Sequence, residues 1–230
     1  MKLPISIQSN DRQNADLFIG LGLVIAVLNL LVHRLFLQQM YIVNMFLYGF
    51  AIALALLGWL KHGEPRNLLT LTPEGLLYWH RKQRLFIPWQ NIQRIDIPYF
   101  RDALGYQELD YIGVKVKDLE SFYDNFPLRL ASKLLVEHRP LLMTVAGRSC
   151  KTGQCVPEDF VDAVEYKLDS GKVYKGLIGM FVNRTEVMQK NLGFHFYIPL
   201  KSTDLPAHKL LNLLKEAKNS ASNVQTIDQP

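Results

Sequence analysis

Apolar positions crowd into the first quarter of the chain. Leu17–His33 holds no formal charge for 17 residues, and Leu35–Leu60 none for 26. A helix needs about 20 apolar residues to cross roughly 30 Å of hydrocarbon. The first run, bounded by Asp16 and Arg34, is short but workable, since a terminal arginine can snorkel to the headgroups. The second run supplies a span from about Met40 to Leu60. His33, Arg34, Gln38 and Gln39 make a polar break long enough only for a tight turn. The pattern therefore predicts an antiparallel helical hairpin over residues 17–62, behind a tail of residues 1–16. Two such runs side by side are uncommon in a soluble core. A cleaved signal peptide fits poorly, because no small-residue cleavage site follows the first run and a second run comes at once. Tyr41 and Trp59 mark the ends of the second span, where amphipathic rings prefer to sit. Gly20 and Gly22 on the first helix, with Gly49, Ala51, Ala53 and Ala55 on the second, allow close approach.

Beyond Pro65, which cannot continue a helix interior, the period changes. Short strands are predicted at Leu68–Leu71, Leu76–His80, Leu85–Trp89, Ile92–Ile97 and Tyr111–Lys117. Thr72-Pro73-Glu74-Gly75 makes a type I turn between the first two. Arg81-Lys82-Gln83-Arg84 makes a charged turn between the next two. Helical spacing follows over Leu128–Val145, interrupted by Pro140, and over Pro157–Leu168. Lys172–Leu192 is ambiguous, with helix favoured in its second half. Phe194–Leu200 returns to strand. A last helix begins at Ser202 or Asp204, takes Pro206 in its first turn and buries Leu205, Leu210, Leu213 and Leu214. Polar residues from Ala217 onward read as frayed, and 219–230 as a disordered tail.

Composition sharpens the division. Leu17–Leu60 carries one formal charge, Arg34, and the rest of the chain is charged at the ordinary soluble frequency. A net charge of +5 over 230 residues is too mild to indicate nucleic-acid binding. Two cysteines exclude a disulfide-stapled secreted module. Lys2 and Arg12 precede the first span, and Lys61 and Arg66 follow the second, with Arg81, Lys82 and Arg84 soon after. The positive-inside bias then places both termini in the cytoplasm.

The stretch Leu71-Thr72-Pro73-Glu74-Gly75-Leu76, followed by Ile87-Pro88-Trp89-Gln90-Asn91-Ile92-Gln93-Arg94-Ile95, resembles the PH-like modules of small bacterial membrane proteins. The layout of two membrane helices ahead of such a module resembles an uncharacterised family of domain-of-unknown-function proteins. The resemblance implies a bent antiparallel sheet closed by a C-terminal helix, over 67–218. It also implies that the mostly helical block at about 118–192 is a large insertion or a different domain. The fold class expected is thus a membrane α-helical hairpin plus an α+β soluble domain. Trp89, Ile87 and Ile92 read as core.

Little chemistry is visible. No P-loop, dinucleotide fingerprint, hydrolase elbow or HExxH motif occurs. Cys150 and Cys155 stand in a C-x4-C pair, which reads as two plain thiols, with a redox disulfide or a zinc site completed by His138 or His195 left as alternatives. Asp96, Asp102, Glu108 and Asp110 read as a solvated loop. Neither metal nor cofactor is expected, and no enzyme. Trp79, Arg81, Lys82 and Arg84 put three cations beside an aromatic ring near a span, a pattern suited to anionic headgroups or to a solvated turn. Asn29 and Asn44 are amides within the spans, able to bond a partner helix laterally. The expected partners are the lipid bilayer and a further protein or second copy, with no nucleic acid. The expected role is a membrane-anchored binding or scaffold protein. The alternative is an accessory subunit or regulator of a transport or envelope-maintenance complex.

Overall fold

The fold was obtained as a computed structural model, which describes residues 3–10, 14–35, 41–80, 83–102, 105–149 and 165–227. The chain opens with a strand, β1 (Ile5–Gln8), where a tail was expected. Two antiparallel helices follow, α1 (Ala15–Leu35) and α2 (Tyr41–His62). Three strands complete a four-stranded antiparallel sheet in the order β1-β2-β3-β4: β2 (Asn67–Leu71), β3 (Gly75–His80) and β4 (Gln83–Pro88). The helical hairpin is therefore the connection between two neighbouring strands. Ile7 pairs with Leu69 and Gln8 with Asn67, and the Ser9 N–H donates to the Arg66 carbonyl at 2.8 Å.

A second antiparallel sheet has the order β11-β8-β5, built from β5 (Ile92–Asp96), β8 (Tyr111–Val116) and β11 (Phe196–Pro199). Between β5 and β8 stands a separate hairpin, β6 (Tyr99–Asp102) and β7 (Gly105–Glu108), where the acidic residues suggested a loop. Between β8 and β11 lie α3 (Leu119–Asp124), α4 (Leu128–Glu137), α5 (Arg139–Ser149), β9 (Glu165–Lys167), β10 (Val173–Lys175) and α6 (Gly176–Leu192). The helix expected at Pro157–Leu168 lies mostly outside the described residues, and its end is the strand β9. The final helix, α7 (Ala207–Ile227), continues well past the expected fraying point, because Ala217 and Ala221 are buried on its inner side.

Local chemistry explains the strand edges. The Thr72 hydroxyl oxygen accepts the Gly75 N–H at 3.1 Å, closing the β2–β3 turn. A Cβ at Gly75 would stand 2.5 Å from the Ile87 carbonyl oxygen, so β3 and β4 approach as closely as they do only over glycine. Trp89 is buried and its indole N–H donates to the Thr72 carbonyl at 2.8 Å. It thus ties the start of the second sheet to the first turn of the first, as a large ring with one polar edge should. Leu69, Leu71, Leu76, Ile87, Ile92, Val114, Phe196 and Ile198 fill the space between the sheets, and Leu210, Leu214 and Ala217 of α7 seal it.

The helical insertion belongs to this same core. The Asp118 carboxylate caps α3 by accepting the Ser121 N–H at 3.1 Å. This aims Phe122, Tyr123 and Phe126 inward, where Phe122 meets Phe196 edge-on at 6.4 Å and Phe126 lies 4.4 Å from Phe181 of α6. Pro140 breaks the predicted long helix into α4 and α5, and Gly193 ends α6 in a left-handed conformation with φ 85°.

The hairpin packs through small residues seven apart. Ala15, Gly22 and Asn29 of α1 are buried against Gly58, Ala51 and Asn44 of α2. A Cβ at Gly22 would meet the Ala51 carbonyl oxygen at 2.8 Å, and one at Gly58 the Ala15 carbonyl oxygen at 2.8 Å. Gly20 and Gly49, expected in this contact, face open space. A seven-residue spacing keeps one seam facing the partner helix. By length and composition α2 is able to cross a membrane, whereas the apolar part of α1, Ala15–Leu31, is shorter.

Candidate membrane-facing surface

Strand direction decides which residues sit where the helical hairpin joins the domain. β1 runs into the hairpin and β2 runs out of it. With Leu69 opposite Tyr78 and Leu71 opposite Leu76, β3 returns toward the hairpin, and the turn after His80 lies at the hairpin end. Arg81 and Lys82 of that turn fall outside the described residues. The other two residues expected to contact headgroups stand side by side, since Trp79 pairs with Arg84 across β3 and β4. The Trp79 indole N–H donates to the Thr70 hydroxyl at 3.0 Å, which fixes the ring on the outer sheet face, and Arg84 is exposed.

Two clefts flank this pair. One of about 300 Å³ lies beside the exit of α2, lined among others by Glu64, Pro65, Trp79, His80, Glu137 and Ser202. In it His80 Nε2 stands 3.4 Å from Glu137 Oε1, joining β3 to the end of α4. The other, of about 580 Å³, lies between β4 and α3, with Arg84, Phe86, Asn91, Phe122 and Asn125 on its walls. Its amides are engaged in the fold. Asn91 accepts the Asp118 N–H at 2.6 Å and donates to the Asp118 carbonyl at 3.0 Å, and Asn125 donates to the Ser121 carbonyl at 2.9 Å.

Asn29 and Asn44, expected to be able to bond a partner helix laterally, are both buried. They meet inside the hairpin, where the Asn29 amide donates to the Asn44 carbonyl at 3.2 Å and Asn44 Nδ2 lies 2.8 Å from His33 Nδ1. Buried polar groups take polar partners, and here the facing helix of the same chain supplies one for each amide nitrogen. The base of the hairpin is polar: Asp16 lies 3.4 Å from His62, and Lys61 stands over the Phe18 ring at 5.4 Å.

Several other titratable groups make contacts within the fold. His138 is buried, with Nε2 3.1 Å from the Tyr197 carbonyl, and burial lowers its pKa to about 4. His195 accepts the Val116 N–H at 3.2 Å, and burial, helped by the charge of Lys115, likewise lowers it to about 4. Asp96 pairs with Lys215 at 3.5 Å, and Glu108 lies 3.8 Å from the His208 ring. A cluster that sequence reasoning missed joins the Asp124 carboxylate to the Tyr174 hydroxyl at 2.9 Å and to Lys172 at 2.5 Å. These hydrogen bonds, Lys172 foremost, hold the Asp124 carboxyl below its usual range. No group of three or more His, Cys, Asp or Glu able to hold a metal occurs among the described residues. Cys150 and Cys155 lie outside them.

A family profile described as protein of unknown function (DUF2982) matches residues 69–220. The chain belongs to the DUF2982 family. The match begins within β2 and ends within α7, so it takes in the helical insertion along with both sheets. No curated protein and no solved structure matches the chain.

Proposed function

We propose that this chain is a non-enzymatic, membrane-anchored binding module, with α1 and α2 seated in a bacterial inner membrane and a PH-like domain held at its cytoplasmic face. One observation carries the reading. Among the described residues, twenty large apolar side chains of α1 and α2 are exposed, with Met45 and Phe46 each 76% open. Transfer of such a side chain from water to hydrocarbon is worth about 1.5–3 kcal/mol when complete. Half-exposed, the set stands to gain on the order of 20 kcal/mol from a lipid environment, more than a domain's whole net stability of about 5–15 kcal/mol. The uniform exposure around the hairpin also argues against a core helix, which would be covered on all sides.

The PH-like assignment draws on the four-stranded and three-stranded antiparallel sheets closed by α7. Both termini are assigned to the cytoplasm from Lys61 and Arg66 at the hairpin exit. At that face Trp79 and Arg84, with Arg81 and Lys82 in the adjoining turn, would meet anionic headgroups, each cation contributing about 1 kcal/mol near a charged leaflet. Anchoring raises the effective concentration of a weakly bound partner, so a modest protein-binding surface suffices. The accessory-subunit alternative would assemble through the outward apolar faces of α1 and α2, because the amide nitrogens of Asn29 and Asn44 find their partners within the hairpin.

Two measurements test this. The full chain expressed in bacteria should sediment with membranes and resist alkaline carbonate; recovery in the supernatant overturns the anchor. In nanodiscs, adding phosphatidylglycerol should slow backbone hydrogen exchange across 77–88, and the variant Arg81→Glu, Lys82→Glu, Arg84→Glu should lose the effect. Equal slowing in that variant would remove the headgroup contact.

A further inference from the structure

The β6–β7 hairpin leaves the domain between Pro98 and Leu109, whose backbones are joined by the Leu109 N–H donating to the Pro98 carbonyl at 2.9 Å. No third strand pairs with it among the described residues, and all four residues of β7 are exposed. Side chains alternate across it. Phe100 packs against the smaller apolar cluster that contains Leu141, Phe194 and Tyr197. Tyr99 and Tyr106 share the opposite face, 59% and 72% exposed, their rings edge to face at 5.5 Å. Glu108 lies on that face at the base of the hairpin, beside His208.

Strand register locates this hairpin. Asp96 pairs with Gly113 and Pro199 with Tyr111, so β5 ends where β11 ends. Just past β11, Thr203 bridges to Ser9, and Pro199 and Ser202 line the same cleft as Glu64 and Pro65. The β6–β7 hairpin therefore springs from the end of the domain at which α1 and α2 join it.

We propose that this hairpin is a second contact with the bilayer, with Tyr99 and Tyr106 seated among the lipid headgroups. The inference rests on the membrane reading of α1 and α2. Tyrosine suits the headgroup level, because its ring prefers the apolar side and its hydroxyl the wet side. Phe100 holds one face of the hairpin to the domain, and lipid would cover the opposite, aromatic face, which is exposed. Two separated contacts, the β3–β4 turn and this hairpin, would hold the domain in one orientation on the membrane, which a flexible tether cannot do.

Spin labels on single cysteines test this in the full chain, with Cys150→Ser and Cys155→Ser, reconstituted in phosphatidylcholine–phosphatidylglycerol vesicles. Labels go at Phe46→Cys on α2, Glu74→Cys in the β2–β3 turn, and Tyr99→Cys and Tyr106→Cys separately. Collision with oxygen reports lipid, and collision with a water-soluble nickel chelate reports water. The expected result is lipid at 46, water at 74 and, at both 99 and 106, an oxygen-to-chelate ratio several-fold above that at 74. Lipid at 46 with water at 99 and 106 overturns this inference and leaves the anchor standing. Shielding of 99 and 106 from both reagents means that protein covers the hairpin, and it overturns lipid as the occupant. Water at 46 overturns the anchor and this inference with it.

Discussion

Replacing Phe181 with alanine tests whether the helical insertion and the two sheets form one cooperative unit. Phe181 is 2% exposed on α6, lies 4.4 Å from Phe126 and 6.4 Å from Tyr123, and joins the core that includes Phe196 of the second sheet. Truncating a buried phenylalanine costs about 3–5 kcal/mol. With a urea dependence near 2 kcal/mol per molar, the midpoint should fall by about 1.5–2.5 M. The assay is urea unfolding of the full chain in nanodiscs, with Trp59→Phe and Trp79→Phe so that Trp89 alone reports on the sheets. Far-ultraviolet ellipticity follows the helices. Both signals should shift together. A lower midpoint for ellipticity with the Trp89 midpoint unchanged would refute a shared core and make the insertion an independent domain. Should the alanine variant fail to fold, Phe181→Leu applies the same test at a milder cost of about 1–1.5 kcal/mol.

Two further outcomes follow from named contacts. Burial, reinforced by the charge of Arg184, lowers His138 from an ordinary 6.5 to about 4, so between those values the unfolded chain takes up a proton that the folded chain refuses. Stability is fully present above pH 6.5 and falls by about 3 kcal/mol toward pH 4; urea midpoints measured across that range should show a shallower slope in His138→Gln, and an unchanged slope would refute the assignment. Trp89→Phe removes the indole N–H from the Thr72 carbonyl and should cost about 1–3 kcal/mol; a thermal midpoint equal to that of the parent would show that the link between the sheets carries no stability.

Much of the strand framework was legible because each strand carries its own signals. Turn residues at Thr72–Gly75 and alternation at Val114 and Val116 need no distant partner to be read. The strand Ile5–Gln8 is hard to read because its partner, β2, lies beyond the whole helical hairpin, and the alternation Ile5-Ser6-Ile7-Gln8 covers only four residues. The β6–β7 hairpin was mistaken for a loop because its acidic residues and Gly105 look solvated, and an exposed strand pair shows no buried face. For the candidate surface, Trp79 and Arg84 stand together because two residues flanking a tight turn must pair across it. For the amides, composition marks Asn29 and Asn44 as polar groups in apolar helices but does not say which helix supplies their partners.

Sequence alone determined that the chain holds an apolar pair of helices and a mixed α/β domain, since burial and turn formation depend on residues close together in the chain. Tertiary structure decided the rest. The spacing of Ala15, Gly22 and Asn29 acquires meaning only against Gly58, Ala51 and Asn44 on a second helix, where backbone contact needs small residues on both sides. In the same way, only the strand register brings the β3–β4 turn and the Tyr99–Tyr106 pair to the end of the domain where the hairpin enters, because pairing between strands far apart in the chain sets which loops share a face.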